Sequence, residues 1–213
     1  MEINMLRKGL LLTLAVVLAS TSAMAQRPAI EFTPEANYLW TSRISATIPD
    51  GSGGLRTGDI DIKDSGAYGF TVDIEVRPGT QLEFLYLRQD SDLTFKPITG
   101  PEETLIEGVA TSYYHVGALQ GFKRGNVLPF TGLTLGATQF SSDNSEWKFS
   151  FGFNAGAKVY LNERIGVRLH GRVLASMLDT SAGIWAGTGG VGLTVGGSAL
   201  WQWDLGGGLV IRL

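Results

Sequence analysis

Hydrophobic and polar residues alternate along most of the chain with a period of two, which is the spacing of a β-strand rather than a helix. Segment 147–161 shows the pattern most clearly, because every second residue from Trp147 to Leu161 is apolar. The residues between them are polar or small and run from Lys148 to Tyr160. The same alternation recurs in three further segments, 66–77, 165–175 and 201–213. Each segment is predicted to be a strand with one apolar and one polar face.

Four weaker segments bring the predicted number of strands to eight: 35–47, 81–96, 104–122 and 127–140. The run Phe84-Leu85-Tyr86-Leu87 interrupts the alternation in 81–96, so the pattern leaves the facing of that strand open. Pro129 is acceptable near a strand end, although proline cannot donate a ladder hydrogen bond.

The predicted links between strands alternate in length. Short links with Gly, Pro or Asn turn chemistry occupy 77–80, 123–126 and 162–164. Long links occupy 48–65, 90–103, 141–146 and 179–198. An even number of strands with alternating short and long links is typical of outer-membrane barrels. The fold class predicted is all-β: an eight-stranded antiparallel up-and-down transmembrane β-barrel.

The polar face decides between this membrane barrel and the alternative, a soluble barrel or sandwich with its apolar face inside. It consists of glycine with scattered charges of both signs, as expected where buried charges pair in a narrow lumen. The predicted lumen acids are Glu35, Asp73, Glu75, Glu83 and Asp204. The predicted lumen bases are Arg43, Arg77, Lys148, Lys158, Arg168, Arg172 and Arg212, with His170 among them. Four tryptophans near the long links are predicted to form a membrane girdle: Trp40, Trp147, Trp201 and Trp203.

The first 25 residues have the features of an export signal. Arg7 and Lys8 precede a 12-residue apolar run that is too short to span a bilayer as a helix. Ala23 and Ala25 then provide the small residues of a cleavage site before Gln26. The predicted organisation is a signal peptide over 1–25 and a barrel over 26–213, the alternative for the leader being an N-terminal anchor helix.

Composition narrows the function classes. The 213 residues include 29 glycines, about twice the usual ~7%. The absence of Cys from the sequence excludes disulfides, thiolate-bound zinc and thiol catalysis. A net charge of −3 without a basic run argues against nucleic acid as a partner.

Two segments resemble a known family. They are Asn162-Glu163-Arg164-Ile165-Gly166-Val167-Arg168 through Arg172, and the ending from Trp201-Gln202-Trp203 through Leu213. Both are similar to the last strands of the small eight-stranded outer-membrane β-barrels, a group that includes the OmpA, OmpX and OmpW types. The resemblance implies a Gram-negative outer membrane, contact with its lipid and insertion by the barrel-assembly machinery. The chain departs from the family in ending with Leu213 instead of Phe or Trp, and it leaves no residues for a peptidoglycan-binding domain.

The candidate chemistry is sparse. Ser112 and His115 are three residues apart and therefore lie on opposite faces of a strand, which is unsuitable for a catalytic pair. His170 is predicted to be a hydrogen-bonded residue of the lumen, beside Asp204 or Glu75. We expect no catalytic residues, cofactor or metal, although a weak Ca²⁺ site at Asp59, Asp61 and Asp64 is an alternative to a solvated acidic loop.

The sequence therefore predicts a monomeric integral outer-membrane barrel with a structural or surface-interaction role and no catalysis. A narrow channel for small or hydrophobic solutes is the second hypothesis, and a lipid-modifying enzyme is the third. The apolar residues around Ile184 and Trp185 in the last long link are candidates for binding an external ligand, although the favoured interpretation is that they extend the flanking strands above the membrane.

Overall fold

The computed structural model describes residues 29–49, 55–99, 101–122, 124–142, 145–178, 183–187, 190–194 and 199–213. These residues form twelve strands: β1 Ile30–Thr41, β2 Ile44–Pro49, β3 Leu55–Ile62, β4 Ser65–Arg77, β5 Thr80–Pro97, β6 Glu103–Gly121, β7 Val127–Ser141, β8 Ser145–Tyr160, β9 Ile165–Met177, β10 Gly183–Gly187, β11 Gly190–Thr194 and β12 Ala199–Arg212. Within the same ranges no helix is long and apolar enough to cross a membrane. The predicted signal peptide 1–25 lies outside them.

Eight strands close into one antiparallel barrel in the order β1, β4, β5, β6, β7, β8, β9, β12 and back to β1. Each strand pairs with the barrel strand next in the chain, and β1 and β12 pair to complete the cylinder. Glu31 is opposite Arg212 at one end of this last pair, and Thr41 is opposite Gln202 at the other. The prediction of an eight-stranded antiparallel up-and-down barrel is confirmed.

The long links contain more structure than the sequence indicated. Residues 48–65 do not form a loop throughout, because β2 and β3 make a hairpin and β3 pairs with Leu93–Pro97 of β5. The first strand ends at Thr41, six residues before the predicted boundary, and it begins at Ile30, five residues earlier than predicted. In the last long link β10 and β11 pair with each other. Residues 179–182, 188–189 and 195–198 of that link lie outside the described ranges.

The apolar face of the barrel points outwards. Large hydrophobic side chains are exposed around the cylinder, among them Phe70, Phe84, Leu133, Phe153, Leu169 and Leu205. The facing left open for 81–96 is resolved by β5, in which Gln81, Glu83 and Gln89 are buried and Phe84 is exposed. A soluble barrel would bury the apolar face, so this arrangement is that of a barrel surrounded by lipid.

Glycine on the inner face allows the backbones to approach closely. A Cβ at Gly136 would collide with the carbonyl oxygen of Tyr114, and one at Gly117 would collide with that of Leu133. Both glycines face the lumen, since they lie opposite His115 and Thr134 in the ladders. The high glycine content therefore serves the tight inner packing of a small barrel.

Candidate functional site

The lumen is filled by a network of buried charges that begins near the short turns. The ammonium of Lys158 on β8 donates to Glu31 Oε2 at 2.7 Å, Asp73 Oδ2 at 2.8 Å and Gln81 Oε1 at 2.7 Å. Glu31 also accepts from Arg212 at 2.7 Å and from the hydroxyl of Tyr160 at 2.8 Å. All three partners of the ammonium come from other strands, so this cluster joins β1, β4, β5 and β8 across the interior.

Arg168 on β9 forms the middle of the network. Its guanidinium donates to Glu83 Oε2 at 2.6 Å and to Asp73 Oδ2 at 3.3 Å, and it lies over the ring of Phe130 at 4.7 Å. Asn154 donates to the other oxygen of Glu83 at 2.8 Å. The arginine is fully buried, so its charge is balanced within the lumen rather than by water.

Arg172 forms the part of the ionic network that lies nearest the long links. It donates to Asp204 Oδ2 at 2.5 Å and to Glu35 Oε1 at 3.3 Å. His170 Nε2 lies 3.6 Å from Asp204 Oδ2 and 3.9 Å from Glu35 Oε2, and is therefore beside Asp204 and Glu35 rather than Glu75. Among the described residues neither ring nitrogen has a hydrogen-bond partner, so the prediction of a hydrogen-bonded histidine is wrong. Both basic side chains are buried in the lumen.

A layer of uncharged hydrogen-bonding groups lies on the side of the ionic network that faces the long links. His115 contacts Thr134 Oγ1 at 2.9 Å through Nδ1 and Ser150 Oγ at 2.7 Å through Nε2. The hydroxyls of Thr138 and Ser176 are 2.7 Å apart. Sequence reasoning compared His115 only with Ser112 and missed Ser150, since the pairing of β6, β7 and β8 was needed to bring the two side chains together. Ser150 is fully buried and both contacts of His115 are hydroxyls, which is the geometry of a packed lumen rather than a nucleophile with a carboxylate-oriented base.

The outer mouth, the end of the barrel that carries the long links, contains an apolar cavity of about 340 Å³. Its apolar lining comes from five strands and the residue after β9: Ile60, Ile62, Leu93, Val109, Phe140, Leu178 and Leu200. The charged side chains at its wall are Asp61, Glu146 and Lys148. Burial raises the pKa of Asp61 above its usual range, and the neighbouring carboxylate of Asp64 raises it further.

Nine of the predicted lumen residues lie together in the network: Glu35, Asp73, Glu83, Lys158, Arg168, His170, Arg172, Asp204 and Arg212. Four others lie near the barrel ends: Arg43, Glu75, Arg77 and Lys148. Arg43 follows the end of β1, is 61% exposed and lies 3.8 Å from Asp61, because the strand that was expected to carry it inwards ends at Thr41. Lys148 is 19% exposed and pairs with Glu146 at 2.6 Å, so it belongs to the wall of the mouth cavity.

Glu75 and Arg77 belong to the short turn at the end of β4 rather than to the network. Glu75 accepts a hydrogen bond from the backbone of Gly79 at 3.3 Å. Arg77 is exposed, because the register shifts between Glu75 and Arg77 and the strand ends there. Conversely, Glu31 is central to the network and was missed, although the alternation Ile30-Glu31-Phe32-Thr33 is visible in the sequence ahead of Pro34.

The four predicted girdle tryptophans are exposed on the outer surface. Trp40 of β1 lies opposite Trp203 of β12 in the ladder, and Trp201 packs against Phe151 with ring centroids 5.9 Å apart. Trp147 packs against Tyr114 at 5.4 Å. These positions suit side chains at a membrane interface. Within the described ranges no three His, Cys, Asp or Glu side chains are close enough to hold a metal ion.

Comparisons with known proteins agree on the architecture. No protein-family model and no curated protein sequence match the chain. Among solved structures it is similar to the outer membrane protein OprG from Pseudomonas aeruginosa, with a TM-score of 0.61 and 12% identity over 88% of this chain and 97% of that one. It is also similar to Neisserial surface protein A, with a TM-score of 0.54 and 12% identity over 87% and 99% of the two chains.

A third similar structure is the outer membrane protein AlkL in lipid bilayers, with a TM-score of 0.54 and 12% identity over 90% of this chain and 93% of that one. At these identities the likeness concerns the fold and carries no information on ligands. OprG and AlkL are outer-membrane proteins by name, which supports the same location for this chain. With its closed ladder, outward apolar face and charged lumen, the chain is a small eight-stranded β-barrel of the outer-membrane type.

Proposed function

We propose that the barrel binds a small apolar molecule in the cavity at its outer mouth. The observation that carries this proposal is the cavity itself, about 340 Å³ in volume and lined mainly by aliphatic and aromatic side chains. Ligand pockets of this size and character are typical of small-molecule sites. A barrel that served only as a membrane anchor would have no need to keep an apolar space open towards water, where it costs free energy.

The buried network lies between the cavity and the short turns. It favours binding of a ligand in the cavity over passage of a solute through the barrel. Lys158 and Arg168 are fully buried and bridge strands on opposite sides of the barrel, and the buried Arg172 joins β9 to β12 and β1. A solute passing along the axis would have to break these ion pairs. Removing a partner from a buried pair costs about 3–5 kcal/mol. An axial pore for hydrophobic molecules is therefore the less favourable route, and no catalytic step is assigned to the barrel.

We propose that the bound molecule leaves sideways, beside the outer end of β8. This strand begins at Ser145, but its ladder with β9 begins only at Ser150 opposite Ser176. Glu146 and Lys148, in the part of β8 without a described partner on that side, line the cavity together with Leu178. A molecule held there would reach the bilayer between β8 and β9 without crossing the ionic network.

The test is binding of an apolar fluorescent dye, N-phenyl-1-naphthylamine, to the purified barrel in detergent. Val109→Trp fills the cavity and is expected to weaken binding at least about fivefold, since an overfilled apolar site loses ~1–3 kcal/mol. Val167→Trp, on the lipid-facing side of β9, is the matched control and should bind like the wild type. Both variants must show the heat-dependent gel mobility of a folded barrel. Equal affinity of all three proteins for the dye would overturn the proposal. Steady conductance in planar bilayers would also contradict it and would favour an axial channel.

A second candidate function is presentation of the outer loops to a partner. The β2–β3 hairpin extends the barrel wall beyond the membrane by pairing with the end of β5. This external sheet favours the surface-interaction role. Deleting the hairpin should abolish partner binding in this case and leave dye binding reduced only in proportion to the lost Ile60 and Ile62 contacts.

A further inference from the structure

The end of the barrel that carries the short turns is basic. Each of its three turns has an exposed arginine: Arg77 at the end of β4, Arg124 after β6 and Arg164 before β9. Within the described ranges none of these three guanidiniums has an ion pair or a side-chain hydrogen bond. Arg212 at the same end differs, because Glu31 accepts its hydrogen bond. The short turns therefore present three guanidiniums that are available to an external anion.

Outward hydrophobic side chains reach the level of these turns. Each of the three arginines lies within two residues of an exposed hydrophobic side chain. These side chains are Val76, Phe122 and Ile165. In outer-membrane barrels the short turns are on the periplasmic side. The three arginines therefore lie where the headgroups of the periplasmic leaflet begin, and that leaflet consists of phospholipids.

The turn between β6 and β7 holds its arginine in a defined backbone position. The backbone N–H of Arg124 donates to Val127 O at 2.8 Å, and that of Val127 donates to Arg124 O at 3.0 Å. This reciprocal pair closes a tight turn in which Gly125 has a φ of 63°. The turn is also tied to β8, because the backbone N–H of Tyr160 donates to Asn126 O at 2.8 Å. The guanidinium of Arg124 thus extends from a turn that is fixed on both sides.

The positive charge of this turn is not balanced by an acid nearby in the chain. Lys123 precedes Arg124 in the sequence, and the whole of 108–142 contains no Asp or Glu. The other two short turns each contain a carboxylate, at Glu75 and Glu163. Of the three turns, the one between β6 and β7 therefore has the strongest preference for an anion.

We propose that the β6–β7 turn binds an anionic phospholipid of the periplasmic leaflet. The planar guanidinium of Arg124 donates to the phosphate oxygens, as arginine does in charge-assisted pairs. Lys123 adds a second positive charge, and an acyl chain packs against Phe122. A choline or ethanolamine headgroup would bring its own positive charge to a turn without a carboxylate, so a headgroup with a net negative charge is preferred. This site is at the opposite end of the barrel from the mouth cavity and does not depend on it.

The experiment places a fluorescent reporter at the turn. All five tryptophans of the full chain are replaced by Phe: Trp40, Trp147, Trp185, Trp201 and Trp203. Phe122→Trp then keeps an outward aromatic ring beside the turn and supplies the only indole. The protein is reconstituted in phosphatidylcholine vesicles that contain a minor, equal fraction of acyl-brominated phosphatidylglycerol, phosphatidylethanolamine or phosphatidylcholine. Bromine quenches tryptophan only at close range, so the reporter shows which lipid lies against the turn.

Brominated phosphatidylglycerol is expected to show about a fivefold preference over the other two lipids, the effect of one basic residue at an anionic surface. Arg124→Gln should remove most of this preference, and added salt should weaken it. Arg88→Gln is the matched control, since this guanidinium is at the other end of the barrel and is paired with Asp90, and it should keep the preference. All variants are first checked for heat-dependent gel mobility. Equal quenching by the three lipids, or a preference that Arg124→Gln leaves intact, would overturn the proposal.

A second measurement avoids the tryptophan replacements. The wild-type barrel and Arg124→Gln are released from mixed phosphatidylglycerol and phosphatidylcholine nanodiscs, and the lipids that stay bound are identified by native mass spectrometry. The wild type should retain more phosphatidylglycerol than the variant. Equal retention by the two proteins would contradict a site at Arg124.

Discussion

The contribution of the lumen network to stability is testable at Arg168. Replacing it by Met keeps much of the side-chain volume but removes the donors to Glu83 and Asp73. Loss of one partner from a buried pair costs about 3–5 kcal/mol. The two carboxylates each keep one donor, Glu83 from Asn154 and Asp73 from Lys158, so we expect the lower end of that range, about 3 kcal/mol.

A double-mutant cycle separates the ion pair from packing. Glu83→Gln removes the opposite charge, and in the double variant neither charge is left without its partner. The double variant is therefore expected to lose about 1–2 kcal/mol less than the sum of the two single variants. Arg212→Met is the control for charge removal at the barrel end, where the side chain is 32% exposed and the expected loss is about 1 kcal/mol or less.

The assay is denaturant unfolding in lipid vesicles, followed by tryptophan fluorescence and by gel mobility of unheated samples. The reasoning fails if Arg168→Met stays within about 1 kcal/mol of the wild type, the size expected for an exposed pair. It also fails if the effects of Arg168→Met and Glu83→Gln are additive, because the two groups would then not interact.

Two further predictions concern packing and the mouth. Gly136→Ala should destabilise the barrel by about 1–3 kcal/mol through the collision with Tyr114, whereas Gly171→Ala, whose Cβ has only a 3.9 Å contact, should be nearly neutral in the same unfolding assay. Because burial raises the pKa of Asp61, this carboxylate takes up a proton at a higher pH than an ordinary aspartate as the pH falls. Dye affinity at the mouth should therefore rise between about pH 7 and about pH 4, and Asp61→Asn should bind tightly throughout. A rise of the same size in Asp61→Asn would contradict the assignment of the effect to Asp61.

The barrel fold and the residues at the centre of its lumen could be predicted from the sequence, because strand alternation has a fixed period and assigns each residue to one of two faces. Arg168, His170 and Arg172 are at successive inward positions of one regular strand, and all three lie in the network. The errors concern strand ends. Arg77 follows a register shift and Arg43 follows the last residue of β1, and alternation contains no information on either event.

Proline accounts for the omission of Glu31. Pro34 marks a break when the sequence is considered alone, but β1 continues through it with an interruption of the β12 ladder between Phe32 and Glu35. The mouth cavity was beyond prediction for a different reason. Its lining comes from the outer ends of six strands and the residue after β9, so it depends on the relative heights of these strands rather than on any local pattern.

The pairing of β1 with β12 has a consequence for how the chain folds. The first and last barrel strands are joined along nine register pairs from Glu31–Arg212 to Thr41–Gln202, so the cylinder cannot close before the final strand is present. Contacts between residues this far apart in the chain slow folding, because the entropy of closing the loop is lost before the contacts form. Until closure, β1 and the growing end of the sheet both offer unpaired backbone groups, which favour pairing with other chains. The rate-limiting and most vulnerable step of assembly is therefore expected to be the joining of these two strands.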